Sequence, residues 1–221
     1  MAAASAYFYQ LLLKQAQLKY NAVQDSDYPQ IIINSLSLEG SSELGIEDND
    51  LIITQLQEGI KDLERAEAQF IVIPCNSVHH TISELRKSSK VPVISIIEEV
   101  SKKVESSQFN KVLLLSSETT NKHGLYDNLQ NKGIEIIEFD EKEQKYINDL
   151  ILNVMSGKDF SNSKSQILEE IESLASTGKI DSIILGCTEL PIAIHSIDTS
   201  VKLFDSLKIL ADSALDFSKT N

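Results

Sequence analysis

The chain has 221 residues, 42% of them hydrophobic and 24% charged, with a formal net charge of −13. Such an acidic globular composition argues against nucleic-acid or anionic-membrane partners, because phosphate binding depends on clustered Lys and Arg. There is no apolar run of the roughly 18 residues needed for a membrane span and no signal-peptide pattern, and two cysteines do not make a disulfide framework. We therefore expect a cytoplasmic protein.

Short apolar runs alternate along the chain with longer amphipathic stretches. The apolar runs are rich in Val, Ile and Leu and lack polar alternation, as strands covered on both faces of a parallel sheet do. They are residues 31–33, 70–73, 91–94, 112–115, 134–137 and 180–185. The helical patterns are residues 7–20, 50–68, 77–87, 96–106, 125–131, 143–155, 163–176 and 206–217. This alternation predicts an α/β fold with parallel sheets.

Two of these strands end in the same way. Each runs into a small or turn residue, then a cysteine, then a polar residue, and Cys75 and Cys187 lie about half the chain apart. This repeat predicts two pseudo-symmetric α/β domains, residues 1–96 plus 205–221 and residues 97–204. Because ligands bind beyond the carboxyl ends of parallel strands, we expect both thiols at one site between the domains.

Each cysteine could have a structural role, as a buried residue or in a disulfide, or a catalytic role. Either could be a small buried hydrophobe, and a disulfide is disfavoured by the expected compartment. However, both follow a strand and precede polar residues, where the backbone N–H groups at a helix start lower a thiol pKa. Two opposed thiols suit the removal of a Cα proton from one face of an amino acid and its return to the other. Nearby backbone N–H groups and polar side chains would stabilise the carbanion.

The two motifs resemble those of the aspartate/glutamate racemases. PCNSVH (residues 74–79) is similar to their C-N-T-x-H segment, with a serine for the threonine, and ILGCTELP (residues 184–191) is similar to their second cysteine motif almost letter for letter. The stretches at 112–120, 124–126, 133–137 and 203–206 also resemble this family, so the likeness covers nearly the whole chain. It implies a racemase of amino acids with no pyridoxal phosphate, no other cofactor and no metal, and a homodimer.

The motif positions define the candidate site residues. Cys75 and Cys187 are the expected catalytic acid and base, and His79 and Glu189 are supporting residues, although Glu189 could equally be a simple cap. The expected substrate-binding residues are Asn76, Ser77, Ser117, Thr120, Lys164, Thr188 and Ser35. Ser117 and Thr120 lie in a stretch that resembles the family, Lys164 is placed by resemblance at a substrate carboxylate, and Ser35 rests only on its position after residues 31–33.

The two adjacent histidines near Cys75 invite a metal hypothesis. His79 and His80 follow Cys75 closely, but no third cysteine or further ligand clusters with them. Zinc favours a full tetrahedral ligand set, so no metal site is predicted. His79 is expected instead to orient polar groups near Cys75.

The sequence departs from the family pattern in two places. Family members usually have a first strand and a Gly-rich loop before a helix like residues 4–20, so we expect the first sheet to lack a strand beside residues 31–33 or 70–73. Residues 34–42 also contain no Arg, where strict aspartate racemases carry an Asp-Arg pair. Bidentate recognition of a side-chain carboxylate is thus missing from the expected place, and we expect a broader or neutral substrate range.

Two alternatives stay open beside the amino-acid racemase. One is a related hydantoin racemase or maleate isomerase, and the other is an inactive, N-terminally truncated family member. A nucleotide enzyme is disfavoured because neither a G-x-G-x-x-G nor a P-loop pattern occurs.

Overall fold

Parallel strands alternate with helices in the computed structural model, which describes residues 2–42, 45–194 and 201–220. The helices are α1 Ala2–Tyr20, α2 Asn49–Arg65, α3 Ile82–Ser88, α4 Ile96–Glu105, α5 Glu118–Lys122, α6 Glu141–Ser156, α7 Ser161–Ser176, α8 Leu190–Ala193 and α9 Ser206–Thr220. The strands are β1 Ser41–Ser42, β2 Gly45–Ile46, β3 Ile71–Val72, β4 Val93–Ile94, β5 Lys111–Leu115, β6 Glu135–Glu138, β7 Ser182–Leu185 and β8 Lys202–Asp205. Short 3₁₀ helices span Asp25–Asp27, Ser77–Thr81 and Asp127–Lys132.

The strands form two parallel sheets and one small hairpin. The larger sheet has the order β6-β5-β7-β8 with every neighbour parallel. β3 and β4 form a separate parallel pair, and β1 pairs with β2 in an antiparallel ladder. The predicted α/β class with parallel sheets is confirmed.

Both faces of the larger sheet are covered, which explains the continuous apolar runs of its central strands. Successive side chains of a strand point to opposite faces. Val112 and Leu114 of β5 pack in the core made by α1, α4 and α9, whereas Leu113 and Leu115 pack in the core made by α6 and α7. A third core joins α2 and α3 to one face of the β3–β4 pair.

Helices α1, α4 and α9 lie between the two sheets. Their core also takes in Phe70, Val72 and Ile94 from the small sheet, and Phe70 contacts Phe217 of α9 with 4.9 Å between ring centroids. The C-terminal helix α9 therefore contacts the first part of the chain. The domain division at residues 96–97 and 204–205 stays a prediction. None of the helices in the described ranges is long and apolar enough to cross a bilayer.

The predicted strand at residues 31–33 is wrong. This segment is extended but joins no ladder, and Ile32 and Ile33 are 38% and 53% exposed. A strand exists only when a neighbour accepts and donates its backbone hydrogen bonds. Among the described strands, none pairs with residues 31–33 or with the edge of β3 opposite β4.

Three smaller differences come from edges and tight turns. The strand Lys202–Asp205 was not predicted, because an edge strand with exposed Lys202 lacks a continuous apolar run. The helix predicted at 125–131 is the 3₁₀ helix Asp127–Lys132, and the helix predicted at 77–87 is the 3₁₀ helix Ser77–Thr81 followed by α3. The 3₁₀ segment begins two residues after Cys75 and so belongs to the site.

Candidate active site

Both cysteines line one cavity at the carboxyl ends of the parallel strands. Cys75 follows β3 and Cys187 follows β7, and the cavity they share has a volume of about 360 Å³. Other predicted site residues with atoms on its wall are Asn76, Ser77, Ser117, Thr120 and Thr188. The tertiary structure thus brings together groups from three separate strand ends, after β3, β5 and β7.

Close strand packing explains the glycine before Cys187. A Cβ on Gly186 would lie 2.9 Å from Leu114 Cδ1 and 3.1 Å from Ser116 Cβ. These distances are shorter than ordinary carbon–carbon contacts, so a larger residue would push β7 away from β5. Glycine at position 186 therefore allows the chain to pass close to β5 just before Cys187, which lines the cavity.

Cys75 is half-buried and lies beside a hydroxyl. Its Sγ is 3.4 Å from the Oγ of Ser77. The carbonyl of Cys75 also contacts His79 Nδ1 at 2.7 Å. The first thiol therefore has a polar partner for its sulfur and a second one for its backbone.

His79 is buried and its tautomer follows from its partners. Nε2 accepts a hydrogen bond from the backbone N–H of Ile96 at 3.3 Å, so the proton of the neutral ring is on Nδ1 and is donated to the Cys75 carbonyl. Burial is the main cause that lowers the pKa of His79 from 6.5 to about 4. The neutral imidazole thus ties the Cys75 loop to the start of α4, which is a positioning role.

We expect His79 to make the protein less stable as pH falls. The pKa of His79 is lower in the folded state than in the unfolded chain. Between pH 6.5 and pH 4 the unfolded chain therefore binds a proton at His79 and the folded chain does not, so the free energy of unfolding falls over this range. The full loss is about 3 kcal/mol, and no change from this group is expected above pH 6.5. Urea unfolding at pH 7.5, 6 and 5 of the wild type and of His79→Gln measures it.

The difference between these two proteins isolates His79 from other titrating groups. The variant should be less stable at pH 7.5 and should lose less stability between pH 6.5 and pH 4. Equal slopes for both proteins would show that His79 does not carry the effect.

Cys187 is buried against a carboxylate. Its Sγ donates to Oε2 of Glu189 at 3.2 Å, and the Thr188 hydroxyl donates to the same oxygen at 2.9 Å. Burial first, and the Glu189 carboxylate next, raise the pKa of Cys187 well above its usual value. Oε1 of the fully buried Glu189 has no hydrogen-bond partner among the described residues. The second thiol is therefore protonated in this environment, and its sulfur lies against the Glu189 side chain.

The side chain of Asn76 is held behind the cavity by two buried hydroxyls. Tyr126 donates to Oδ1 of Asn76 at 2.7 Å, and Nδ2 of Asn76 donates to Ser206 Oγ at 3.3 Å. Burial raises the pKa of Tyr126, so its hydroxyl stays a donor. Tyr126 and Ser206 were not predicted as site residues, although both lie in segments that resemble the racemases.

Removing the Tyr126 hydroxyl should destabilise the fold. Tyr126→Phe leaves Oδ1 of buried Asn76 without a donor, and an unsatisfied buried acceptor costs about 1–3 kcal/mol. Chemical unfolding of the variant against Tyr9→Phe, which alters an exposed tyrosine of α1, measures the difference. If both variants lose the same stability, the Tyr126–Asn76 bond contributes nothing measurable.

Two predicted substrate-binding residues lie outside the cavity wall. Lys164 is on the first turns of α7, and Ser35 is exposed. Neither lines the cavity, but Asn34 and Leu36 on either side of Ser35 do. The neighbours of Ser35 therefore line the cavity in its place. The available signal was the period of two in an extended chain, which places residues 34, 36 and 38 on one side.

His80 has partners within the protein. Nδ1 contacts the Ser77 carbonyl at 2.7 Å, Nε2 contacts Asn49 Oδ1 at 2.6 Å, and the ring stacks on His123 with 4.4 Å between centroids. Within the described ranges, no group of three or more His, Cys, Asp or Glu side chains is placed to hold a metal ion. The role of this histidine is structural, since it connects α2, the Ser77–Thr81 turn and the segment after α5.

Comparisons with known proteins point to one family. A family model described as Asp/Glu/Hydantoin racemase matches residues 2–214. Among curated proteins, the chain is similar to the broad specificity amino-acid racemase RacX of Bacillus subtilis, with 28% identity over 94% of this chain and 90% of that one. It is also similar to the glutamate racemase of Aquifex aeolicus, with 23% identity over 87% of this chain and 75% of the relative.

Among solved structures, the fold is similar to an aspartate racemase homologue from Pyrococcus horikoshii OT3. The TM-score is 0.82 and the identity 29%, over 99% of this chain and 95% of that chain. Similarity to the aspartate racemase of Picrophilus torridus, with a TM-score of 0.79 and 21% identity over 98% and 90% of the two chains, concerns the fold alone.

Proposed function

The chain belongs to the Asp/Glu/hydantoin racemase family, and from that premise we propose that it interconverts L- and D-amino acids by a two-base reaction of Cys75 and Cys187. Neither pyridoxal phosphate nor a metal takes part in the proposed reaction. The observation that carries the proposal is that both thiols line one cavity, each at the end of a different parallel sheet. Homodimer formation and a cytoplasmic location stay predictions.

In the proposed reaction one sulfur takes a proton and the other gives one. A thiolate removes the proton from the substrate Cα and becomes a thiol, leaving a carbanion. The opposite thiol then donates its proton to the other face of that carbon and becomes a thiolate. The product is the mirror image of the substrate, and the two cysteines have exchanged protonation states.

We assign to Glu189 the role of proton acceptor for Cys187. The ammonium group of a bound amino acid would favour the thiolate, which burial and the carboxylate otherwise disfavour. The hydrogen bond from Sγ to Oε2 places a carboxylate where it can take the thiol proton as the substrate binds. The resulting thiolate then removes the Cα proton. Cys75 has a different partner, since its half-buried sulfur lies beside the Ser77 hydroxyl.

Neutral donors on the cavity wall would bind the substrate α-carboxylate. Ser77, Ser117, Thr120 and Thr188 line the cavity. Hydroxyl and backbone N–H donors directed at a carboxylate stabilise the negative charge that develops when Cα loses its proton. Because Lys164 lies outside the wall, we assign this contact to uncharged groups.

A hydantoin racemase is the second candidate, because the family description includes hydantoins and no Lys, Arg or His is among the described residues of the cavity wall. Its substrate would be a neutral ring with an acidic C5–H.

Incubation in heavy water with enantiopure amino acids and with 5-substituted hydantoins separates the two candidates. Loss of the Cα–H signal in NMR and chiral chromatography report exchange and racemisation. We expect both for amino acids, and unchanged rates after dialysis against a chelator and a carbonyl reagent. Turnover of hydantoins alone would contradict the proposal.

A further inference from the structure

One wall of the cavity is mostly apolar. Leu36, Leu38 and Ile46 line the cavity and pack in the same core as Ile52 and Leu56 of α2, which also line it. Ile151 and Met155 of α6 add to the apolar lining. Most of the polar lining comes from the loops after β3, β5 and β7, and Ser5 of α1 and Asn34 add to it. A bound amino acid would meet the hydroxyls with its carboxylate and the apolar wall with its side chain.

Hydrogen bonds from α2 hold the backbone of the apolar wall in place. The Gln55 amide of α2 bonds both the N–H and the carbonyl of Glu39, each at 3.0 Å, and holds the segment in register. In that register residues 34, 36 and 38 face the cavity. Gly59 of α2 leaves room for Leu36, because a Cβ there would lie 2.6 Å from Leu36 Cδ1. The leucines therefore form a stable part of the wall.

The cavity offers no cation to a side-chain carboxylate. No Lys, Arg or His is among its described lining residues. Both arginines of the chain are already paired: Arg86 gives two bonds to Glu98 and one to the Val93 carbonyl, and Arg65 contacts Asp62. A substrate with an acidic side chain would have to place its carboxylate against an apolar surface that supplies no opposite charge among its described residues, in a chain with a net charge of −13.

We propose that the substrate side chain is neutral and apolar, of about the size of leucine or methionine, and that it packs on the Leu36–Leu38 wall. This inference rests on the proposed racemase function and names its substrate class. Apolar amino acids gain from burial on this wall, whereas aspartate and glutamate lose the hydration of a carboxylate without gaining a partner.

The first test compares kcat/KM for leucine, methionine and valine with that for aspartate and glutamate. We expect leucine or methionine to exceed aspartate by at least about tenfold, since each missing charge-assisted contact is worth about one to two orders of magnitude in discrimination. Equal or higher efficiency with aspartate would overturn the substrate class and leave the racemase function standing. Exchange with no amino acid at all would overturn the proposed function, and this inference with it.

The second test changes the charge of the wall. Leu36→Arg places a guanidinium at the cavity, so the aspartate-to-leucine ratio of kcat/KM should rise about tenfold or more. Leu36→Gln introduces polarity without charge, and Leu18→Arg adds the same charge on the exposed face of α1. Neither control should raise the ratio. An equal ratio in Leu36→Arg and Leu36→Gln would show that the side chain of the substrate does not meet this wall.

Gly59→Ala provides a second test of the apolar wall in case Leu36→Arg does not fold. The new methyl group displaces the end of Leu36 from α2 toward the cavity, without adding charge or polarity. We expect leucine to lose efficiency relative to alanine, since the space for a branched side chain shrinks. An unchanged leucine-to-alanine ratio would contradict the assigned wall.

Discussion

Alanine at Cys75 or at Cys187 should reduce racemisation by about 10³-fold or more, because each face of the substrate Cα needs its own proton carrier. Both sulfurs lie on the same cavity, and no other cysteine exists in the chain to replace either of them. The two variants should fail to the same extent in both directions, since the equilibrium between enantiomers is symmetric. Chiral chromatography of L- and D-substrate reactions measures the loss.

Proton exchange distinguishes a lost base from a damaged cavity. Each single variant keeps one thiol, so it should still exchange the Cα proton of one enantiomer with heavy water, and the two variants should prefer opposite enantiomers. A thermal unfolding midpoint near that of the wild type shows that the fold persists. Racemisation near the wild-type rate by either variant, or exchange of the same enantiomer by both, would exclude the two-base assignment.

Glu189→Gln should lower racemisation by about a hundred-fold, since it removes the carboxylate that we propose as the acceptor of the Cys187 proton. Glutamine keeps the size and an acceptor oxygen, but it cannot take up a proton. Because substrate and product are enantiomers, kcat/KM should fall equally in both directions. Exchange with heavy water should instead fall much more for the enantiomer deprotonated by Cys187 than for the one deprotonated by Cys75.

The same exchange experiment separates a proton-transfer role from a structural one. Glu105→Gln removes one negative charge from the exposed end of α4 and serves as the control, with no change in rate expected. If Glu189→Gln slowed the exchange of both enantiomers equally, Glu189 would only support the loop after β7. The simple-cap reading of this residue would then be correct.

Much of the fold could be read from local patterns. The central strands β5 and β7 are buried on both faces, so their apolar runs are continuous and stand out in the sequence. The segment at residues 31–33 has the same composition but forms no strand, because pairing depends on a neighbour that the segment itself does not encode. The edge strand Lys202–Asp205 was missed for the opposite reason, since its pairing with β7 does not require an unbroken apolar run.

Only part of the candidate site, like part of the fold, could be predicted from the sequence. The two cysteines, their polar successors and the family could be recognised from sequence, because strand-end motifs are contiguous and chemically specific. Sequence motifs do not show whether Lys164 and Ser35 face the cavity. The direction of a side chain, and not its position in the chain, decides whether it lines the wall. The wall residues Leu36 and Leu38 became visible only once the register of that segment against α2 was known.

The sequence by itself determined that two thiols stand at the ends of two parallel strands in a racemase-like α/β chain. Only the tertiary structure decided what surrounds them: the Asn76 hydrogen bonds to Tyr126 and Ser206, the tautomer of His79, and the pairing of both arginines away from the cavity. The contacts of Asn76 with Tyr126 and Ser206 join residues 50 and 130 positions apart. Their geometry arises from packing between distant elements, which no local pattern of residues specifies.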